Sequence, residues 1–137
     1  MKLVLDTNVL YSFFWKGSLI KKLLLSEHDL FSPEFSLKEL SKHKSEIMEK
    51  TKLSSIEFEE FKRRLQKVVM FVPFSKYSNF LSKALSLLPE HPKDVDFFAL
   101  ALELNASILS KDKALKKQSE VRIFDESEFS DLLKTEE

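Results

Sequence analysis

Short apolar runs that read as strands alternate along this chain with longer stretches of helical period, and that alternation constrains the fold more than any other feature. Residues 2–5 put Leu3, Val4 and Leu5 in one aliphatic run, and residues 7–15 follow at once with Val9, Leu10, Phe13 and Phe14 at helical spacing. Further strand-like runs fall at 29–32, 69–73, 107–110 and 121–124. Helical patterns occupy 19–27, 33–51, 54–68, 75–88, 94–105, 112–120 and 127–134, with Gly17-Ser18 breaking the first two apart. Ser54, with Glu57 three residues on, has the form of a capping box, and Pro33 suits a first helical turn. Strands separated by helices pair in parallel through right-handed crossovers. The expected fold is therefore α/β, a three-layer α/β/α sandwich around a short-stranded, mainly parallel sheet.

A length of 137 residues, 43% of them hydrophobic, suits one domain over residues 1–137, and no repeat or linker divides it. Thirteen Phe against a single Gly describe an aromatic core rather than a disordered chain. Lys plus Arg equal Asp plus Glu at 22 each, so any nucleic-acid footprint must be local. The absence of Cys excludes disulfides, thiolate zinc sites and Cys nucleophiles, and is compatible with the reducing cytoplasm, the compartment expected here. Met1 leads directly into a strand-like run without a leader pattern, and the longest apolar stretch, 97–102, is far below the roughly 20 residues that span a bilayer. A soluble protein is expected.

In parallel α/β sheets the site lies beyond the carboxyl ends of the strands. Asp6 and Asp112 each follow an expected strand, and Asp94 opens a helix that leads into one. Each has an ordinary reading. Asp6 and Asp112 suit helix N-caps, and Glu39, beside Lys38 and Lys42, suits a solvated helix face. Carboxylates gathered at one edge repel, however, and a divalent cation is the natural compensation. Oxygen donors without Cys or paired His favour Mg²⁺ or Mn²⁺ over zinc. Such ions polarise a phosphodiester and activate water, so phosphoryl hydrolysis is the chemistry indicated.

Val4-Leu5-Asp6-Thr7-Asn8, Glu39-Leu40, Asp94 ahead of Phe98-Ala99-Leu100-Ala101, and Ile108-Leu109-Ser110-Lys111-Asp112 resemble, in order and spacing, the successive motifs of PIN domains. The resemblance runs from residue 1 to about residue 124. It implies a Mg²⁺- or Mn²⁺-dependent ribonuclease in which Asp6, Glu39, Asp94 and Asp112 hold metal and activate water, with Thr7 in support. It also implies single-stranded RNA as substrate and a homodimer. PIN domains of this size are often the toxin half of VapBC-type pairs, which adds an antitoxin to the expected partners. Two positions depart from the pattern. Asn105-Ala106 stands where many members have Gly-Ala, and a second acid, Asp96, follows Asp94 and leaves the third ligand open. At about 100° per residue the two acids point roughly 200° apart. Asp94 shares its direction with Phe97, Phe98, Ala101 and Leu102, and Asp96 with Glu103, so Asp96 is expected to face solvent.

Lys111, Lys113, Lys116 and Lys117 are candidate RNA contacts, although a lysine-rich face is more often only solvated. His28, His43 and His91 share no metal or relay spacing and read as surface or loop residues. Phe13-Phe14-Trp15 suits core or dimer surface better than base stacking. A haloacid-dehalogenase-type phosphatase would need an acid where Asn8 stands, and a response-regulator receiver would need adjacent acids after the first strand. The remaining alternatives are a PIN-like module that binds RNA or protein without cutting, and an RNA-processing factor.

Overall fold

The computed structural model describes residues 1–15 and 27–135. The helix expected over 19–27 lies, except for Glu27, outside the described residues, as do Gly17-Ser18.

The described chain runs β1 (Lys2–Leu5), α1 (Thr7–Ser12), β2 (Asp29–Pro33), α2 (Glu34–Lys42), α3 (Lys44–Thr51), α4 (Ser55–Val68), β3 (Val69–Val72), α5 (Phe74–Tyr77), α6 (Leu81–Leu87), α7 (Val95–Leu104), β4 (Ser107–Leu109), β5 (Ile123–Phe124) and α8 (Glu126–Thr135). Short 3₁₀ turns occupy Ser78–Phe80, Pro92–Asp94 and Lys113–Lys117. The five strands form one sheet in the order β3-β2-β1-β4-β5, every pair parallel. The expected three-layer α/β fold is the one observed.

Strand alternation splits the core. Leu3 and Leu5 join one cluster with Leu10, Phe14, Leu40, Phe58, Leu65 and Phe129. Val4 faces the other side and packs with Tyr77, Ala84, Phe98, Leu100 and Ile108. Successive side chains on a strand point to opposite faces, so two helical layers are needed to cover them. Phe14 stacks on Phe58 at a centroid separation of 4.8 Å and is buried, as is Phe13. Of the Phe13-Phe14-Trp15 run only Trp15 is exposed.

Several elements differ from their expected spans. The first helix stops at Ser12, and Phe13, Phe14 and Trp15 follow in turns that bond back three residues. The long helix over 33–51 is two helices meeting at His43, whose ring lies 3.4 Å from Glu39 and 3.5 Å from Glu46. Pro33 ends β2 and is the N-cap residue of α2 rather than its first turn. The helix over 75–88 is interrupted at Ser78–Phe80. The basic helix over 112–120 is only the 3₁₀ turn Lys113–Lys117, because Gln118 turns extended and its amide bonds Leu115 O, Val121 O and Val121 N. The capping box at Ser54 forms as expected, with Ser54 Oγ accepting from Glu57 N at 3.1 Å and Glu57 Oε1 accepting from Ser54 N at 3.0 Å. Among the described residues no helix is long and apolar enough to cross a membrane.

Candidate active site

The chain leaves β1 toward β2 and β3 on one side and later returns to place β4 on the other, so the sheet changes direction between β1 and β4. Such a switch point opens a crevice beyond the strand ends. Leu5 is in register with Leu109, which sets Asp6 beside Ser110 and leaves Asp112 two residues further along the same rim. Asp6 is 7% exposed and Ser110 1%. One Asp6 carboxylate oxygen accepts from Val9 N at 2.9 Å, capping α1, and the other accepts from the Ser110 hydroxyl. Ser110 Oγ in turn accepts from Asp112 N at 3.1 Å, so one hydroxyl ties the two acids together. Asp112 caps the turn after it, Oδ1 accepting from Ala114 N at 3.0 Å. The N-cap readings of Asp6 and Asp112 both hold, and neither prevents the other carboxylate lone pairs from facing the crevice.

Asp94 arrives from a third direction. It ends the Pro92–Asp94 turn and holds the N-cap position of α7, yet its side chain makes no cap hydrogen bond. A donor atom of His91, one of Asp94 and one of Asp112 all lie within 4.8 Å of one another, a group able to hold a metal ion. His91, read from the sequence as a surface or loop residue, is half-buried in the segment before that turn and supplies one of the three donor atoms. The missed signal was local: Pro92 favours a tight turn, and that turn closes with Asp94 N donating to His91 O at 3.0 Å, which keeps the two residues close in space.

The electrostatics fit a centre short of positive charge. Burial raises the Asp6 carboxyl above its ordinary pKa, with Asp112 adding to the rise; Ser110, Val9 and the Lys111 charge act against it. Asp94 is raised chiefly by burial, then by Asp112 and Asp6, with His91 and Lys93 opposing. Three acids thus feel one another.

The other candidates lie as follows. Glu39 does not join the His91, Asp94 and Asp112 donor group; its carboxylate pairs with His43 at 3.4 Å. Its charge reaches Tyr11, whose phenol is raised first by burial and then by Glu39 and Glu46. Thr7, half-buried, is the first residue of α1 beside Asp6. Asp96 is not solvated as expected: it is half-buried, and its carboxylate accepts from the Tyr77 hydroxyl at 2.7 Å. Helix α7 begins at Val95, after a 3₁₀ turn, so the angle between Asp94 and Asp96 does not follow a single helical period. Lys111 crosses to α1 and donates to Ser12 Oγ at 2.9 Å. Lys116 is engaged by Asp125 at 3.1 Å and by Glu128. Lys113 and Lys117 are exposed.

A family profile described as PIN domain matches residues 4–128. The chain belongs to the PIN domain family. No curated protein sequence matches it. Among solved structures, the PIN fold of this chain is similar to that in VapBC2 from Rickettsia felis, bound to a DNA fragment from their promoter, with a TM-score of 0.68, 15% identity, and 91% of this chain and 98% of that chain covered. It is likewise similar to FitAcB from Neisseria gonorrhoeae, with a TM-score of 0.65, 16% identity, and the same coverage of 91% and 98%. At these identities the likeness is one of fold.

Proposed function

We propose that this chain, a single PIN-like domain, is a Mg²⁺- or Mn²⁺-dependent endoribonuclease that hydrolyses single-stranded RNA in the cytoplasm. Asp6, Glu39, Asp94 and Asp112 are its catalytic acids and metal ligands. The observation that carries the reading is Asp94: a half-buried carboxylate at an N-cap position that makes no cap hydrogen bond, beside two further acids at the sheet's switch point. That arrangement is costly alone and favourable around a cation.

The donors fit a hard divalent ion, since they are carboxylate oxygens with one imidazole and no thiolate. Such an ion, when bound, polarises the phosphodiester and lowers the pKa of a bound water. The protein's own part is positional. Ser110 holds Asp6 and Asp112 in one geometry, and the N-cap bond from Val9 fixes the Asp6 rotamer. Thr7 supports that corner, while Lys111, Lys113, Lys116 and Lys117 provide phosphate contacts along the neighbouring rim.

We further infer a toxin of a toxin–antitoxin pair, acting as a homodimer and restrained by an antitoxin protein. The fold likeness to the VapBC2 and FitAcB chains over nearly their whole length supports it. The deciding experiment incubates purified, tag-free protein with a single-stranded RNA in Mn²⁺, in Mg²⁺ and in chelator. Cleavage in either metal, lost in chelator and lost in Asp94→Asn, is expected. Cleavage undiminished by chelator, or binding without cleavage in both metals, would reject the reading.

A further inference from the structure

His91 belongs to none of the acid motifs on which the proposed nuclease centre rests, yet one of its ring nitrogens lies within 4.8 Å of a carboxylate oxygen of Asp94 and of Asp112. Its backbone is fixed on both sides: His91 N donates to Leu88 O at 3.1 Å, and its carbonyl accepts from Asp94 N at 3.0 Å across Pro92. The 3₁₀ turn so closed keeps His91, its N-cap residue, near Asp94, its last. Asp112 reaches the same point from beyond β4, itself fixed by Ser110 and Ala114. The three residues thus come from two separate segments and bring one donor atom each within 4.8 Å of the others. An octahedral ion with bonds of about 2.1 Å sets its ligands about 3 Å apart when adjacent and about 4 Å apart when opposite, so binding would draw the three donor atoms together.

We propose that His91 is a direct ligand of the cation held by Asp94 and Asp112, and that its imidazole makes the centre select first-row transition ions over Mg²⁺. The inference rests on the metal-dependent reading above. Mg²⁺ takes oxygen ligands and gains little from an imidazole, whereas affinity for nitrogen donors rises along the first-row divalent ions from Mn²⁺ onward. The other described histidines are occupied elsewhere. His43 lies between Glu39 and Glu46, and His28 Nδ1 lies 3.0 Å from the amino terminus.

The test is spectroscopic and needs no turnover. Tag-free full-length protein is loaded with Mn²⁺, and the electron spin echo envelope is examined for nitrogen modulation from a coordinated imidazole. Modulation in the parent, lost in both His91→Ala and His91→Gln while Mn²⁺ remains bound, is the expected result. In titrations the same variants weaken Mn²⁺ roughly tenfold or more and leave Mg²⁺ affinity unchanged. Circular dichroism identifies a misfolded variant, and the second substitution then decides. Bound Mn²⁺ without nitrogen modulation in the parent, or modulation that persists in both variants, overturns the role of His91 and leaves the metal-dependent nuclease intact. No Mn²⁺ or Mg²⁺ binding in the parent overturns both.

Discussion

Among the described residues the Asp94 carboxylate makes no cap hydrogen bond, and its substitution should separate function from stability. Its carboxyl is raised by burial, by Asp112 and by Asp6, against His91 and Lys93. A raised folded pKa means that the ionised form costs stability at every pH above that value, and the cost fades as the pH falls through it. In chelator at neutral pH, Asp94→Asn should therefore melt at or above the parent temperature, with the gain shrinking toward acid. Cleavage in saturating Mn²⁺ should fall on the order of a hundredfold or more. Melting curves across pH in chelator check the first claim, and a lower neutral melting point in the variant would contradict it. Ser110→Ala should behave oppositely. It strips the buried Asp6 carboxylate and the Asp112 N–H of a partner, so a loss of about 1–3 kcal/mol is expected. A urea midpoint shifted at constant slope measures it.

Helix α7 shows how an element boundary decides a ligand. Because Pro92–Asp94 is a 3₁₀ turn, Asp94 is aimed by that turn, whereas Asp96, in the first turn of α7, is held by Tyr77. Asp96→Asn keeps an amide oxygen for the Tyr77 hydroxyl and should retain most cleavage. Near-complete inactivation of a folded Asp96→Asn variant would move the ligand assignment to that residue. At its other end α7 closes on Asn105 at φ 53, a left-handed position where Asn stands in for Gly. Asn105→Gly should be neutral or slightly stabilising, and Asn105→Ala should cost about 1 kcal/mol. Thermal denaturation of the pair tests this, and equal melting points would exclude backbone strain as the reason for Asn.

For the whole molecule, three acids feel one another beyond the carboxyl ends of β1 and β4 within a chain whose charges sum to zero, so the field to be neutralised is local. A cation that binds only the folded state stabilises it by mass action, about 2.7 kcal/mol at a hundred times its dissociation constant. Mn²⁺ should raise the melting temperature of the parent by several degrees and that of Asp94→Asn by much less. Indistinguishable shifts in parent and variant would place the bound ion elsewhere. The proposed homodimer cannot use Phe14, which stacks on Phe58 in the core. Sedimentation at micromolar concentration should return the dimer mass, and a monomer would remove that part of the reading.

Local chemistry carried much of this into the sequence. The alternation of strand and helix periods, the Ser54 capping box and the Asp6 corner depend on neighbours within a few residues, so they could be read directly and they form as expected. Strand order could not be read that way. It is the placing of β4 beside β1 that sets Ser110 against Asp6 across more than a hundred residues of chain, a contact that no periodicity encodes. The same holds for His91, whose spacing to Asp94 suggests nothing until a 3₁₀ turn closes between them and Asp112 arrives from beyond β4. Sequence by itself determined which residues could be ligands and which elements would carry them. Tertiary structure alone decided which donor atoms meet, because that depends on sheet order and turn geometry rather than on local propensity.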